Sequence, residues 1–132
     1  MSEDSQALSI KAVILGEPGV GKTCIANRLV NNVYKECEPT TGASYSKKVI
    51  HYPSHSRSIK FDIWDTAGQE KYRSMNKIFY KDAKVALLVY DITRKSSYEE
   101  IKNYWINQLR EHGDKDIGKT NIIFFSYCYC CK

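Results

Sequence analysis

Short runs of apolar residues recur along this chain, and polar or amphipathic segments lie between them. The runs Ile10–Leu15, Val85–Tyr90 and Asn121–Phe125 are mostly apolar, which is typical of strands buried on both faces of a parallel sheet. Two further extended stretches, about Ala43–Tyr52 and Ser58–Trp64, are separated by a turn of Pro, Ser and His residues and predict an antiparallel hairpin. The pattern therefore predicts a sheet that is mostly parallel and contains one hairpin.

Two helices are predicted in the first two-thirds of the chain. The segment Lys22–Val30 places apolar side chains four residues apart, as one face of a helix does. A shorter helix is predicted near Ser74–Lys81, with Met75, Ile78 and Phe79 facing the core.

A third predicted helix ends at about residue 111. Ser96 and Ser97 are each followed three residues later by a glutamate, which predicts a capping box at the start of this helix. Ile101, Trp105 and Leu109 lie along one face of it. The resulting order of elements, β-α-β-β-α-β-α-β, is typical of an α/β fold in which right-handed crossovers connect the strands.

The composition fits one globular domain. The chain has 132 residues, of which 42% are hydrophobic and 27% charged, close to globular averages. Its apolar runs are far shorter than the roughly 20 residues of a transmembrane helix, and its acidic start differs from a secretory signal, so we expect a cytoplasmic protein. The net charge of +5 is spread along the chain; its densest group, Lys47–Lys60, is interpreted as a solvated sheet edge, not a nucleic-acid site.

The segment Gly16–Thr23 carries the strongest chemical signal. It matches the pattern G-x-x-x-x-G-K-[ST] and lies between a predicted strand and a predicted helix. Glycines let successive backbone N–H groups surround phosphate oxygens at the positive end of a helix. Lys22 adds a cation for the outer phosphates, and Thr23 offers a hydroxyl to Mg²⁺. The pattern therefore predicts a nucleotide phosphate site.

A second signal follows the hairpin, at Trp64–Glu70. Asp65 ends an apolar strand, where a carboxylate can hold Mg²⁺ through a water. Gly68 can expose its N–H to a terminal phosphate, and Gln69 can orient the water that attacks it. In the loop between the two motifs, Thr40 or Thr41 can close on Mg²⁺, and spacing alone does not choose between them.

The combination of these motifs resembles the small GTPases, and within them the Rab branch. The resemblance runs from about residue 10 to residue 125 and rests on Gly16–Thr23 (the family's phosphate loop), Pro39–Gly42 (first switch), Trp64–Glu70 with Lys71–Met75 (second switch), Tyr90–Thr93 and Asn103–Trp105. It implies a P-loop NTPase-type wound sheet with helices on both faces. It also implies a switch that binds GTP or GDP with Mg²⁺, hydrolyses GTP and regulates vesicle traffic.

The resemblance implies a role for individual residues. Catalysis would fall to Gln69, and Rab effectors, an exchange factor and a GTPase-activating protein would bind Thr40–Tyr45 and Gln69–Met75. Mg²⁺ would be held by Thr23, Thr40 and Asp65. The nucleotide would be contacted by Gly16, Gly19, Val20, Gly21, Lys22, Thr23, Cys24, Thr40 and Gly68.

The chain departs from the family pattern at three places. Pro18 stands where the family has a small residue, and Val33 stands where it has an aromatic one. The strand Asn121–Phe125 continues as Ser126–Lys132, not as the base-reading N-K-x-D motif, and Asp114–Asp116 precedes the strand and is no substitute. We therefore expect a polar lead at residues 1–9, a partial G domain at 10–125 without its last strand and helix, and a divergent, cysteine-rich tail at 126–132.

Alternatives remain open for the tail and for the function. Cys130 and Cys131 resemble the prenylated ending of Rab proteins, and prenylation would place the chain on endomembranes. The alternative is that the cysteines of the tail have no function. For the function, the alternative is a nucleotide-incompetent fragment that only binds Rab partners. A P-loop kinase acting on a small molecule explains the phosphate loop but not Asp65–Glu70.

Overall fold

A computed structural model describes residues 8–32, 43–66 and 78–112 and the backbone of residues 122–127. The strands are β1 (Leu8–Leu15), β2 (Ala43–Tyr52), β3 (Arg57–Thr66), β4 (Val85–Asp91) and β5 (Ile122–Tyr127). The helices are α1 (Lys22–Asn31), α2 (Lys95–Glu100) and α3 (Ile106–His112), with a π-helical turn (Ile101–Trp105) joining α2 to α3 and a 3₁₀ turn (Pro53–His55) between β2 and β3. Residues 78–80 are also helical.

The five strands form one sheet in the order β2-β3-β1-β4-β5. Strands β2 and β3 are antiparallel, whereas β1 runs parallel to both β3 and β4, and β4 runs parallel to β5. In the central strand, Ile14 pairs with Asp65 on one side and with Leu87 on the other. The carboxyl ends of β1, β3 and β4 therefore meet at one edge of the sheet, which is where open α/β sheets bind ligands. The predicted sheet, parallel except for one hairpin, is confirmed.

Helices cover both faces of this sheet because alternate residues of each strand point to opposite sides. On one face, Val13 and Leu15 pack with Trp105 and Leu109, all fully buried. On the other face, Ile14 belongs to a second cluster, whose other members come from the β1–α1 loop, α1, β3 and β4: Val20, Ala26, Ile63 and Val89. The predicted α/β class with helices on both faces is confirmed, as is the buried stripe along the last helical segment.

Two local predictions are wrong. Ile78 does not face the core: it is 71% exposed, while Tyr80 is fully buried, because residues two apart on a helix point to nearly opposite sides. Phe79 does pack against the core, and Met75 lies outside the described residues. The capping box is also absent, because α2 begins at Lys95, so that its N-cap is Arg94 and not Ser96 or Ser97, and no side chain caps it.

Several strand ends differ from the prediction. Strand β3 continues through Thr66, so Asp65 lies inside the strand and not after it. Strand β5 starts at Ile122 and continues through Tyr127, two residues beyond the predicted end. At the opposite edge of the described sheet, β2 carries Lys47 and Lys48, in agreement with the interpretation of this basic group as a sheet edge.

Candidate phosphate-binding site

The loop between β1 and α1 has a backbone that requires glycine. A Cβ atom on Gly16 would lie 2.3 Å from the backbone carbonyl oxygen of Val89 in β4, so the loop passes too close to the sheet for a side chain. Gly21 is the N-cap of α1 with a φ of 99°, a left-handed conformation that other residues rarely adopt. The positive end of α1 faces the loop because the helix begins there, and its first turn contains no acidic residue that would offset this charge.

Lys22 is turned inward from the first residue of α1. It is only 6% exposed, and its Nζ donates a hydrogen bond to the carbonyl oxygen of Glu17 at 2.6 Å. A buried ammonium group is unfavourable unless polar groups surround it. The side chain therefore holds a positive charge inside the loop, where phosphate oxygens would complete its surroundings.

Thr23 and Asp65 come together from two different elements. The Thr23 hydroxyl donates to Asp65 Oδ2 at 2.5 Å, and Asp65 is 1% exposed. The end of β3 is fixed next to β1 because the buried Thr66 hydroxyl donates to the carbonyl oxygen of Ile14 at 2.6 Å. The sheet register thus places the carboxylate directly under the start of α1.

The Thr23 hydroxyl and the Asp65 carboxylate are oxygen groups of the kind that bind Mg²⁺. Mg²⁺ in nucleotide sites takes oxygen ligands, commonly one or two protein carboxylates together with phosphates and waters. The Thr23 hydroxyl and the Asp65 carboxylate are such ligands, and both are at the mouth of the loop. Within the described residues, no group of three His, Cys, Asp or Glu side chains is placed to hold a metal ion.

Comparison with known proteins agrees with this geometry. The model of the Ras family matches residues 11–125. The chain belongs to the Ras family. Among its curated relatives are the putative Ras-related protein Rab-5B of Dictyostelium discoideum (42% identical over 107 residues, 81% of this chain and 49% of the relative), Ras-related protein Rab-22A of Homo sapiens (39% over 109 residues, 82% and 55%) and the GTP-binding protein YPT53 of Saccharomyces cerevisiae (42% over 111 residues, 83% and 49%).

Within the Ras family, the resemblance to Rab-type small GTPases is confirmed by these Rab-named relatives. The chain spans about half the length of the curated relatives it matches. In the part of the chain that the structure describes, no helix is both long enough and apolar enough to cross a membrane.

Most of the predicted site residues of this Ras-family chain lie in or beside the loop. Val20 is fully buried and Cys24 is 8% exposed, so a contact of either with a nucleotide would be made by its backbone. The predicted residues outside the described part are Thr40, Thr41, Gly68 and Gln69. Those that the structure places at the carboxyl ends of β1 and β3 are Gly16, Gly19, Val20, Gly21, Lys22, Thr23, Cys24 and Asp65.

Arg94 is a further residue of the site, one that no sequence motif indicates. Its Nη2 donates to the carbonyl oxygen of Pro18 at 2.9 Å and lies 3.6 Å from Oε2 of Glu17. The turn that carries Arg94 is formed by Asp91, which accepts hydrogen bonds from the N–H and the hydroxyl of Thr93. These bonds favour the charged carboxylate and keep the pKa of Asp91 below its ordinary value. The sequence gives no periodic or motif signal that links this turn to the loop.

An aromatic group borders the segment predicted to bind partners. Of Thr40–Tyr45, the structure describes residues 43–45, on the edge strand β2. The half-exposed Tyr45 packs against Trp64 with tilted rings, 4.9 Å between their centroids, and Trp64 contacts Phe79 at 5.1 Å. The Tyr45 hydroxyl donates to the carboxylate of Asp62, which keeps the pKa of Asp62 low. Tyr45 is thus fixed in place on the surface of the sheet edge.

Proposed function

We propose that this chain is a Rab-type molecular switch that binds GTP and GDP with Mg²⁺, hydrolyses GTP and acts in vesicle traffic. The observation that carries the proposal is the buried Lys22 ammonium inside a glycine loop, next to the Thr23–Asp65 pair. Membership in the Ras family supports the guanine nucleotide as ligand, and one relative is named as a GTP-binding protein.

In this proposal, different residues of the chain bind the phosphates and the Mg²⁺ ion. The loop N–H groups and the start of α1 bind the phosphates, and Lys22 exchanges its contact with the Glu17 carbonyl for phosphate oxygens. Thr23 and Asp65 hold Mg²⁺, whose charge offsets that of the phosphates. Gln69 orients the attacking water in the proposed hydrolysis, and Thr40 is the proposed third oxygen donor for the metal.

The proposed partners follow from the family. Rab effectors, an exchange factor and a GTPase-activating protein are proposed to bind the segments Thr40–Tyr45 and Gln69–Met75. The exposed ring of Tyr45 offers such partners an aromatic contact at the end of the first segment. Attachment to endomembranes is proposed through prenylation of Cys130 and Cys131.

Nucleotide binding is the direct test of the proposal. Fluorescent GDP is titrated into the wild-type chain, Lys22→Ala and, as a control, Lys47→Ala, whose side chain is exposed on β2. We expect saturable, Mg²⁺-dependent binding in the wild type and the control, and a large loss in Lys22→Ala. Equal binding by all three would refute the role of the loop. Absence of binding by the wild-type chain would favour the alternative, a chain that contacts Rab partners without nucleotide.

Hydrolysis is tested separately. Single-turnover rates with GTP are compared for the wild type and Gln69→Leu, because leucine cannot orient water but is not expected to disturb ground-state binding. The proposal expects slower turnover at nearly unchanged affinity. Equal rates would refute the proposed role of Gln69.

A further inference from the structure

The guanidinium group of Arg94 holds two consecutive residues of the phosphate loop. Nη2 is 2.9 Å from the carbonyl oxygen of Pro18, with hydrogen-bond geometry, and 3.6 Å from the carboxylate of Glu17. Arg94 lies after β4 and the loop lies after β1, so this contact links the ends of two neighbouring strands.

The turn that carries Arg94 is itself well fixed. The carboxylate of Asp91 accepts the N–H of Thr93 at 2.8 Å and its hydroxyl at 2.6 Å. The N–H of Asp91 donates to the hydroxyl of Ser97 at 2.9 Å, and that hydroxyl donates to the carbonyl oxygen of Arg94 at 2.7 Å. The backbone of Arg94 is therefore tied both to the end of β4 and to the first turn of α2.

Arg94 contacts a loop segment whose backbone offers few hydrogen-bonding groups. Pro18 has no backbone N–H, so its carbonyl is its only backbone hydrogen-bonding group, and Arg94 occupies it. The carbonyl of Glu17 accepts from Lys22, which is the cation proposed to move onto phosphate. The following residue, Gly19, has a φ of 75°, and a Cβ atom there would meet nothing within 4 Å. Arg94 thus contacts this outer part of the loop, Glu17 and Pro18, from the turn that follows β4.

We propose that Arg94 is a positioning residue that keeps the phosphate loop in its binding conformation and slows the release of a nucleoside diphosphate. The inference rests on the proposed function, because it assumes that the loop binds phosphate. The physical reason is preorganisation: a loop already held in its bound form loses less conformational freedom on binding, and it opens less often once occupied. The guanidinium acts through the backbone of Pro18 and the carboxylate of Glu17.

Dissociation of fluorescent GDP, chased with excess GDP at constant Mg²⁺, measures the effect. Arg94→Gln should release the nucleotide roughly threefold to tenfold faster than the wild type, the range that one net hydrogen bond commonly contributes. Arg94→Lys, which keeps the charge and a donor, should be intermediate. The matched control is Lys95→Gln, which removes the next charge along the chain, an exposed side chain paired with Glu99. The control should release nucleotide at the wild-type rate.

A second arm separates positioning from general stability. Hydrogen exchange is measured by mass spectrometry on peptides that cover the loop, without nucleotide. Arg94→Gln should increase exchange in the loop peptide and leave peptides from β3 unchanged, whereas Lys95→Gln should change neither. In a double-mutant cycle with Glu17→Gln, the two substitutions should be less than additive in the release rate, because they share one ion pair.

The outcomes are distinguishable. If the wild type binds GDP and Arg94→Gln releases it at the rate of the control, the inference is wrong. It is also wrong if exchange rises everywhere, since that indicates a structural role only. If the wild type binds no nucleotide, the proposed function fails; the exchange arm then still decides whether Arg94 positions the loop.

Discussion

Substitution of Gly16 by alanine tests how closely the phosphate loop approaches the sheet. A Cβ atom at this position would lie 2.3 Å from the carbonyl oxygen of Val89, 3.3 Å from its carbonyl carbon and 3.2 Å from Cγ2 of Val20. An ordinary contact between carbon and oxygen is about 1 Å longer than the shortest of these distances. Either the loop or β4 must therefore move.

Strand β4 is the less able of the two to move. It pairs with β1 on one side and with β5 on the other, and Val89 is fully buried in the cluster on the α1 face. The loop is expected to shift, which takes Gly16 and the start of α1 out of position. From the usual range for overpacking, we expect a loss of about 2–3 kcal/mol of stability. For a chain of this size that corresponds to a fall in Tm of roughly 8–15 °C.

Gly19→Ala is the matched control in the same loop. Nothing lies within 4 Å of the Cβ position, so the substitution creates no clash, but its φ of 75° is in the left-handed region. That conformation costs alanine about 1–2 kcal/mol, and the reduced freedom of the unfolded chain offsets about 0.4–1 kcal/mol of this. The net loss expected for Gly19→Ala is therefore clearly smaller than for Gly16→Ala.

Thermal unfolding followed by circular dichroism, without nucleotide, compares the two variants with the wild type. Titration of fluorescent GDP then reports the displacement of the loop as weaker binding by Gly16→Ala. If Gly16→Ala melts within a degree or two of Gly19→Ala and binds GDP as tightly as the wild type, the close approach of loop and sheet is not a property of the molecule in solution.

Three further substitutions probe the metal pair, the turn and the core. Thr23→Val should abolish most of the gain in GDP affinity that Mg²⁺ provides, measured by titration with and without EDTA, because the hydroxyl donor is lost at nearly constant shape. Asp91→Asn should have a lower Tm than the wild type at neutral pH, because hydrogen bonds from Thr93 stabilise the charged carboxylate and lower the pKa of Asp91 in the folded state. This difference in Tm should shrink as the pH falls through 3.8, the ordinary pKa of an aspartate, and below it. Trp105→Ala should lower the free energy of unfolding in urea by about 3–5 kcal/mol, because the side chain is fully buried; a loss below 1 kcal/mol would contradict its place in the core.

The sheet and the loop could be predicted because their signals are local. Runs such as Val85–Tyr90 are apolar or aromatic at every position, which is typical of a strand in the middle of a parallel sheet. The loop motif combines glycines, Lys22 and Thr23 at fixed spacing, so phosphate binding can be predicted from the sequence alone. The sequence motifs assign both Thr23 and Asp65 to Mg²⁺, whereas the hydrogen bond between the two side chains is seen only in the structure.

The remaining features depend on contacts between distant segments. The side of the helix that Ile78 occupies is set by where Tyr80 is buried, and a short helix has too few residues for its period to show this. Ser97 had the pattern of a helix cap, yet its hydroxyl joins β4 to α2 instead, because the helix starts earlier. The contact of Arg94 with Pro18 requires the strand order β1-β4, which no local pattern contains.

In the proposed function, the loop between β1 and α1 binds the phosphates of a guanine nucleotide. The most direct measurement is a titration of the isotope-labelled chain with GDP and Mg²⁺, followed by the backbone amide signals in NMR spectra. We expect the largest changes in the amides of Gly16–Cys24, and we expect them to saturate with GDP and to disappear in Lys22→Ala. Saturating GDP that leaves these amides unchanged, or that shifts only signals of the β2–β3 hairpin, would contradict it.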